Sequence, residues 1–206
     1  MTDAAVLMSE GTIMRLQDSL SDSSIGAVGS TANRQTNLHG EKDYRSLYEM
    51  LRIAESKRDS TPFLEGSCMM WRHGAFRTDD LLADSNADDA QIASLIRIGG
   101  LRSILDENAS FIDFAPTTVE GQSRQKIRRA QGLQNMLDRF PKQHKLPQGG
   151  YFSAIFRTQR YLHLVVPIML FQIAIVAIIR WTYVSVTSMP TGYEAVIHAS
   201  LSFVEL

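Results

Sequence analysis

Between Tyr161 and Ile179 the chain runs for 19 residues, YLHLVVPIMLFQIAIVAII, without an aspartate, glutamate, lysine or arginine. Wound as a helix rising about 1.5 Å per residue, this run is about 28 Å long, close to the roughly 30 Å of bilayer hydrocarbon. Isoleucine, valine, leucine and phenylalanine occupy every helical face, which suits a helix solvated by lipid rather than one with a single buried stripe. Tyr161 at one end and Trp181 and Tyr183 at the other sit where amphipathic rings favour the headgroup zone. The run therefore predicts a transmembrane helix over 161–181. Pro167 falls in its first two turns, where a missing amide costs least.

Orientation follows from the flanking charges. Arg139, Lys142, Lys145, Arg157 and Arg160 precede the run, and only Arg180 follows it closely. The positive-inside bias predicts the N-terminal part on the cytoplasmic side of a plasma or inner membrane and the C-terminus on the exterior side. The opening MTDAAVLMSE has no basic region ahead of an apolar core and does not read as a secretory signal. The single cysteine, Cys68, rules out an internal disulfide framework and fits the reducing side.

Composition is segregated along the chain. Residues 1–118 carry 11 lysines and arginines against 18 acids, whereas residues 119–160 carry 9 against 2. Within the basic part, Arg124, Lys126, Arg128 and Arg129 cluster at the start of a predicted helix. They are read as a solvated face, or as contacts to anionic lipid headgroups or a partner's acidic patch. No aromatic interleaving or nucleic-acid module accompanies them, so no nucleic acid is expected. Arg157, Arg160, Arg180 and Trp181 form the interfacial flank of the span.

The predicted fold class is mainly α: a jointed helical cytoplasmic region, one transmembrane helix and a short tail. Residues 1–20 read as a short docking helix. Residues 21–40, SDSSIGAVGSTANRQTNLHG, are rich in Ser, Gly, Asn and Thr and read as a flexible linker. Residues 41–140 read as a helical domain. Tyr44, Leu47, Tyr48, Leu51 and Ala54 give an amphipathic helix over Glu41 to Arg58, and Ile92, Leu95, Ile96, Ile98, Leu101, Ile104 and Leu105 give one over Ala87 to Leu105. Gly99-Gly100 marks a break or close crossing in the latter. Thr117 and Glu120 have capping-box spacing for a helix to about Phe140 that buries Val119, Ile127, Ala130, Leu133 and Leu137. Residues 141–160 read as a basic juxtamembrane joint, and 182–206 as an exterior tail, helix or β-hairpin.

Within the span, Gln172 is a carboxamide near mid-bilayer, most readily satisfied by another helix, while Ala174 and Ala177 allow close approach. These three are the expected membrane-helix packing residues. His163 is a lone imidazole near the headgroups and has no second ligand in sequence for a haem.

Motifs for phosphate loops, dinucleotides, zinc proteases, redox thiols and nucleophile elbows are all missing, and the acids form no evident pair. No catalytic, cofactor-binding or metal-ligating residue is assigned, and no cofactor is expected. The sequence thus predicts a non-enzymatic single-pass subunit that assembles or stabilises a larger membrane complex, with other membrane subunits and the bilayer as partners. The alternatives are a membrane-tethered cytoplasmic adaptor or a viral or phage envelope component.

Overall fold

The structure, a computed structural model, describes residues 1–3, 6–35, 41–114, 118–148 and 150–187. The chain divides into two compact units, residues 1–164 and 165–206.

The first unit is built on a mixed four-stranded sheet, which corrects the mainly-α expectation. The strands are β1 (Val6–Met8), β2 (Ile25–Gln35), β3 (Met69–Trp71) and β4 (Arg102–Phe114), in spatial order β1-β4-β2-β3. β1 pairs antiparallel with β4, β2 runs parallel to β4, and β3 pairs antiparallel with β2. Helices α1 (Thr12–Ser21), α2 (Glu41–Arg58), α3 (Asp88–Ile98), α4 (Val119–Gln143) and α5 (Phe152–Arg160) surround it.

β2 occupies most of the stretch read as a linker over 21–40. Its small residues are not spacers but a packing requirement. Ala27 packs with Leu64, Met69, Ile92 and Ile96, while its neighbour Val28 packs with Leu16, Cys68 and Phe111. Both faces of the strand are covered, so no polar–apolar alternation shows in the sequence. A methyl group added at Gly26 would lie 2.5 Å from Ile96 and 2.6 Å from Leu101, so the strand accepts only hydrogen there. The hydroxyls are satisfied internally: Ser30 donates to the Cys68 carbonyl at 2.9 Å and Thr31 to the Ala109 carbonyl at 3.1 Å.

The predicted helix over Ala87 to Leu105 is helix only to Ile98. Gly99 caps it, Gly100 takes φ +97°, and the chain turns into β4. There Ser103, Leu105, Ala109, Phe111 and Asp113 are buried in strand alternation, interrupted at exposed Glu107, where residues 107–109 form a bulge between the Ser30–Asp106 and Thr31–Ser110 pairs. The glycine pair is thus a true terminator. Ahead of it, the stretch expected as one docking helix holds strand β1 and, from Thr12, helix α1. Gly11 at φ +76° turns β1 into α1, and Leu16 is buried.

α2 has the bounds expected from its periodicity. The cap of α4 falls one residue later than predicted, with the Thr118 hydroxyl accepting from the Gly121 amide at 3.1 Å; Thr117 lies outside the described residues. Its first half does not bury what the sequence predicted, since Val119 and Ile127 are exposed. Burial starts at Gly132 and continues through Met136, Leu137 and Phe140, which join Phe63, Phe152 and Phe156 in one aromatic-rich cluster. Residues 152–160 of the expected joint are therefore part of the core. Asp59 fixes that placement: its carboxylate accepts from Arg97 at 2.6 Å and from the Tyr151 and Phe152 amides at 3.0 Å each.

In the second unit, helix α6 (Val166–Thr187) continues six residues past the predicted end of the span. Over the helical stretch Phe152–Val184 the chain is long and apolar enough to cross a membrane. The remainder of the predicted tail, 188–206, lies outside the described residues.

Candidate active site

A cleft of about 1130 Å³ opens in the first unit. It takes walls from β2 (Thr31, Ala32), α2 (Tyr48, Glu49, Arg52), the loop before β3 (Phe63–Ser67), the start of α3 (Asn86–Ala90), the first half of α4 (Gln125, Lys126, Arg128, Arg129) and His163. Each wall has a sequence cause. The amphipathic α2 puts its polar edge to the cleft, the 60–67 loop crosses beneath it, and α3 starts there with two acids in its first turn. α4 presents cations because its first half has no core to bury.

Asp89 is the most perturbed group. Its Oδ1 accepts from the Ala90 amide at 2.8 Å and its Oδ2 from the Gly66 amide at 3.2 Å. Burial pushes its proton affinity up; the Ala90 amide opposes this, and the nearby Glu65 and Asp88 charges add to the rise, for a pKa of about 6. Glu49 is also raised, first by burial and then by Glu65. Arg52 forms an ion pair with Glu65, while its buried Nε has no hydrogen-bond partner among the described residues. The Tyr48 hydroxyl lies 2.6 Å from His163 Nε2, and His163 Nδ1 lies 2.8 Å from the Gln159 carbonyl. A carbonyl only accepts, so Nδ1 carries the proton and Tyr48 donates to Nε2.

This cleft can abstract a proton and receive negative charge. A carboxylate that titrates near 6 is ionised at neutral pH yet basic enough to take a proton. Lys126, Arg128 and Arg129 supply positive charge in the same cleft.

Of the residues singled out from sequence, Lys126, Arg128 and Arg129 converge here. Arg124 does not; it pairs with Glu120 at 2.7 Å on the outside of α4. Arg157 is exposed on α5, and Arg160 approaches Asp138 at 3.4 Å. Gln172, Ala174, Ala177, Arg180 and Trp181 are exposed positions of α6. Sequence reading missed Tyr48, Glu49, Arg52, Glu65 and Asp89. The adjacent pair Asp88-Asp89 was visible but reads equally as helix-dipole capping; only the fold brings Glu65 and Arg52 beside it.

No protein-family model matches the chain, and no curated protein matches it in sequence. Among solved structures, the whole chain (100% of it) is similar in fold to 55% of the mannosyltransferase PcManGT from Pyrobaculum calidifontis, solved with GDP-mannose and Mn2+; the TM-score is 0.72 and the identity 24%. The chain thus spans about half the length of that enzyme. This likeness shows that the two chains share a fold. It overturns the expectation of a non-enzymatic assembly subunit, which rested on Gln172 with Ala174 and Ala177, on an apolar tail and on a cytoplasmic region jointed by linkers.

Proposed function

We propose that the chain forms part of a membrane-associated glycosyltransferase that moves a sugar from a nucleotide-activated donor to an acceptor hydroxyl. The observation that carries this reading is Asp89, a carboxylate of raised proton affinity facing a cleft that also holds Lys126, Arg128 and Arg129. The fold likeness to a mannosyltransferase supports it. In the reaction, Asp89 takes the acceptor hydroxyl proton as the acceptor oxygen forms its bond to the anomeric carbon. The bond from that carbon to the phosphate oxygen breaks, and the nucleoside diphosphate leaves with the electron pair. The three cations meet the charge that develops on it. Among the described residues no three His, Cys, Asp or Glu side chains converge as a metal site, so no step is routed through a metal ion here.

The membrane part of the reading rests on α6. Arg157 and Arg160 before the apolar run and Arg180 after it support a single span with the first unit on the cytoplasmic side and these side chains at anionic headgroups.

The test is transfer from radiolabelled GDP-mannose by the full chain in native-like membranes. Asp89→Asn is expected to lower turnover by about a hundredfold or more, with far less effect on donor binding. Turnover that persists unchanged in this variant would remove Asp89 as the base.

A further inference from the structure

We propose that the end of the cleft formed by Tyr48, Glu49, Arg52, Glu65 and His163 is a subsite for a neutral carbohydrate acceptor, and that Arg52 and Tyr48 determine that specificity. This rests on the transferase reading above and adds the acceptor's chemical class.

Three features of this end coincide with the surface of a sugar ring. The first is aromatic. His163 meets Tyr48 edge-on with ring centroids 6.0 Å apart and Phe63 at 5.7 Å, and the Arg52 guanidinium lies over the Tyr48 ring at 5.8 Å. The C–H faces of a pyranose pack on such surfaces, and ligand sites combine apolar walls with a few fixed polar groups. The second is an orphan donor. Among the described residues the Arg52 Nε–H is buried and unmatched, although buried polar groups in folded proteins are nearly always bonded. A ligand oxygen is the partner it lacks. The third is a set of acceptors, the carboxylates Glu49 and Glu65. Sugar hydroxyls both donate and accept, so one ring can fill the orphan donor and bond the carboxylates together.

Charge decides between a neutral and a phosphorylated acceptor. Glu49, Glu65, Asp88 and Asp89 all belong to this side of the cleft, and Arg52 is already engaged with Glu65. A phosphate here would meet net negative charge at short range; an uncharged hydroxyl would not. The cations that suit phosphate lie instead on α4. Acceptor and donor therefore take different parts of the cleft lining, with Asp89 beside Glu65 and Arg52 in the acceptor part, where the proton is released.

The rigidity of the Tyr48 hydroxyl strengthens the assignment. It is held by His163, whose ring is held by the Gln159 carbonyl and whose own carbonyl accepts from Gln134 at 3.1 Å. His163 lies in a π-helical turn, Tyr161–Val165, a distortion that recurs at functional sites.

The experiment uses the full chain in lipid nanodiscs, titrated with mannobiose, cellobiose and chitobiose as neutral probes, farnesyl phosphate as the anionic probe, and GDP for the donor end. Binding is read by saturation-transfer NMR. At least one disaccharide is expected to bind. Arg52→Lys, which keeps the charge beside Glu65 but deletes the Nε donor, is expected to weaken it by about tenfold. Tyr48→Phe is the milder variant, expected to weaken it severalfold with an unchanged melting profile. If no disaccharide binds, if both variants bind it like the wild type, or if only farnesyl phosphate binds and Arg52→Lys weakens it, the subsite assignment is overturned. GDP titrated into the wild-type sample separates the two readings. Disaccharide binding without GDP binding removes the transferase reading and leaves the subsite, and the reverse removes only the subsite.

Discussion

β2 and α6 are opposites. β2 is built largely from glycine, alanine and serine, yet residues 25–31 are all buried. α6 is built from isoleucine, valine, leucine and phenylalanine, yet nearly all its described side chains are exposed within its own unit. The difference lies in the surroundings each is suited to. A protein interior is close-packed, so a central strand is selected for shape and for hydrogen-bond closure. Gly26 against Ile96, and Ser30 against the Cys68 carbonyl, are both conditions of that kind. Hydrocarbon has no fixed shape, and a helix placed in it is selected almost solely by transfer free energy.

The contrast can be broken most sharply at the polar hub of the first unit. Asp59→Ala strands the half-buried Arg97 guanidinium and the Tyr151 and Phe152 amides, and is expected to destabilise the unit by about 3 kcal/mol in chemical denaturation. Next, Ile173→Arg on α6 is expected to cost about 3 kcal/mol of membrane insertion, seen as a shift from the carbonate-resistant to the soluble fraction. Its effect on the sheet's unfolding should be negligible. Gly26→Val tests the shape requirement and is expected to cost about 2 kcal/mol by overpacking. Ala174→Val, an enlargement of the same kind on α6, should leave stability within about 0.5 kcal/mol.

A further contrast lies in pH. Asp89 binds its proton more tightly in the folded state, about 6 against an ordinary 3.8. The stability from its neutral form is complete below the ordinary value and is lost as the pH rises through about 6. Asp59 runs the other way. Burial raises it, but Arg97 and the two amides more than offset that and leave it low, so its contribution is present above 3.8 and lost as the pH falls through its lower folded value. Asp89→Asn should therefore gain on the wild type as the pH rises through about 6, in denaturation series at stepped pH. A constant offset across the range would contradict the assignment.

Much of the helical structure was legible. The Tyr44–Ala54 spacing gave α2 its bounds, and the Gly99-Gly100 pair marked where α3 stops. β4 was not legible: Ile104 and Leu105 extend the three-and-four spacing of α3 by chance, and the bulge at residues 107–109 interrupts the strand alternation that would have exposed the error. β2 was hidden because a strand covered on both faces by close neighbours can be made of linker residues. In the cleft, the α4 cations were visible as a cluster, but Asp89 became a candidate base only beside Glu65 and Arg52, 24 and 37 residues away.

What the sequence determined alone was the apolar helix, because suitability for hydrocarbon is a sum over residues and needs no neighbours. The sheet, the raised carboxylate and the orphan Arg52 donor were decided only by the tertiary structure. Each depends on pairs of groups brought within a few ångströms across many residues of chain, and neither composition nor periodicity encodes that distance.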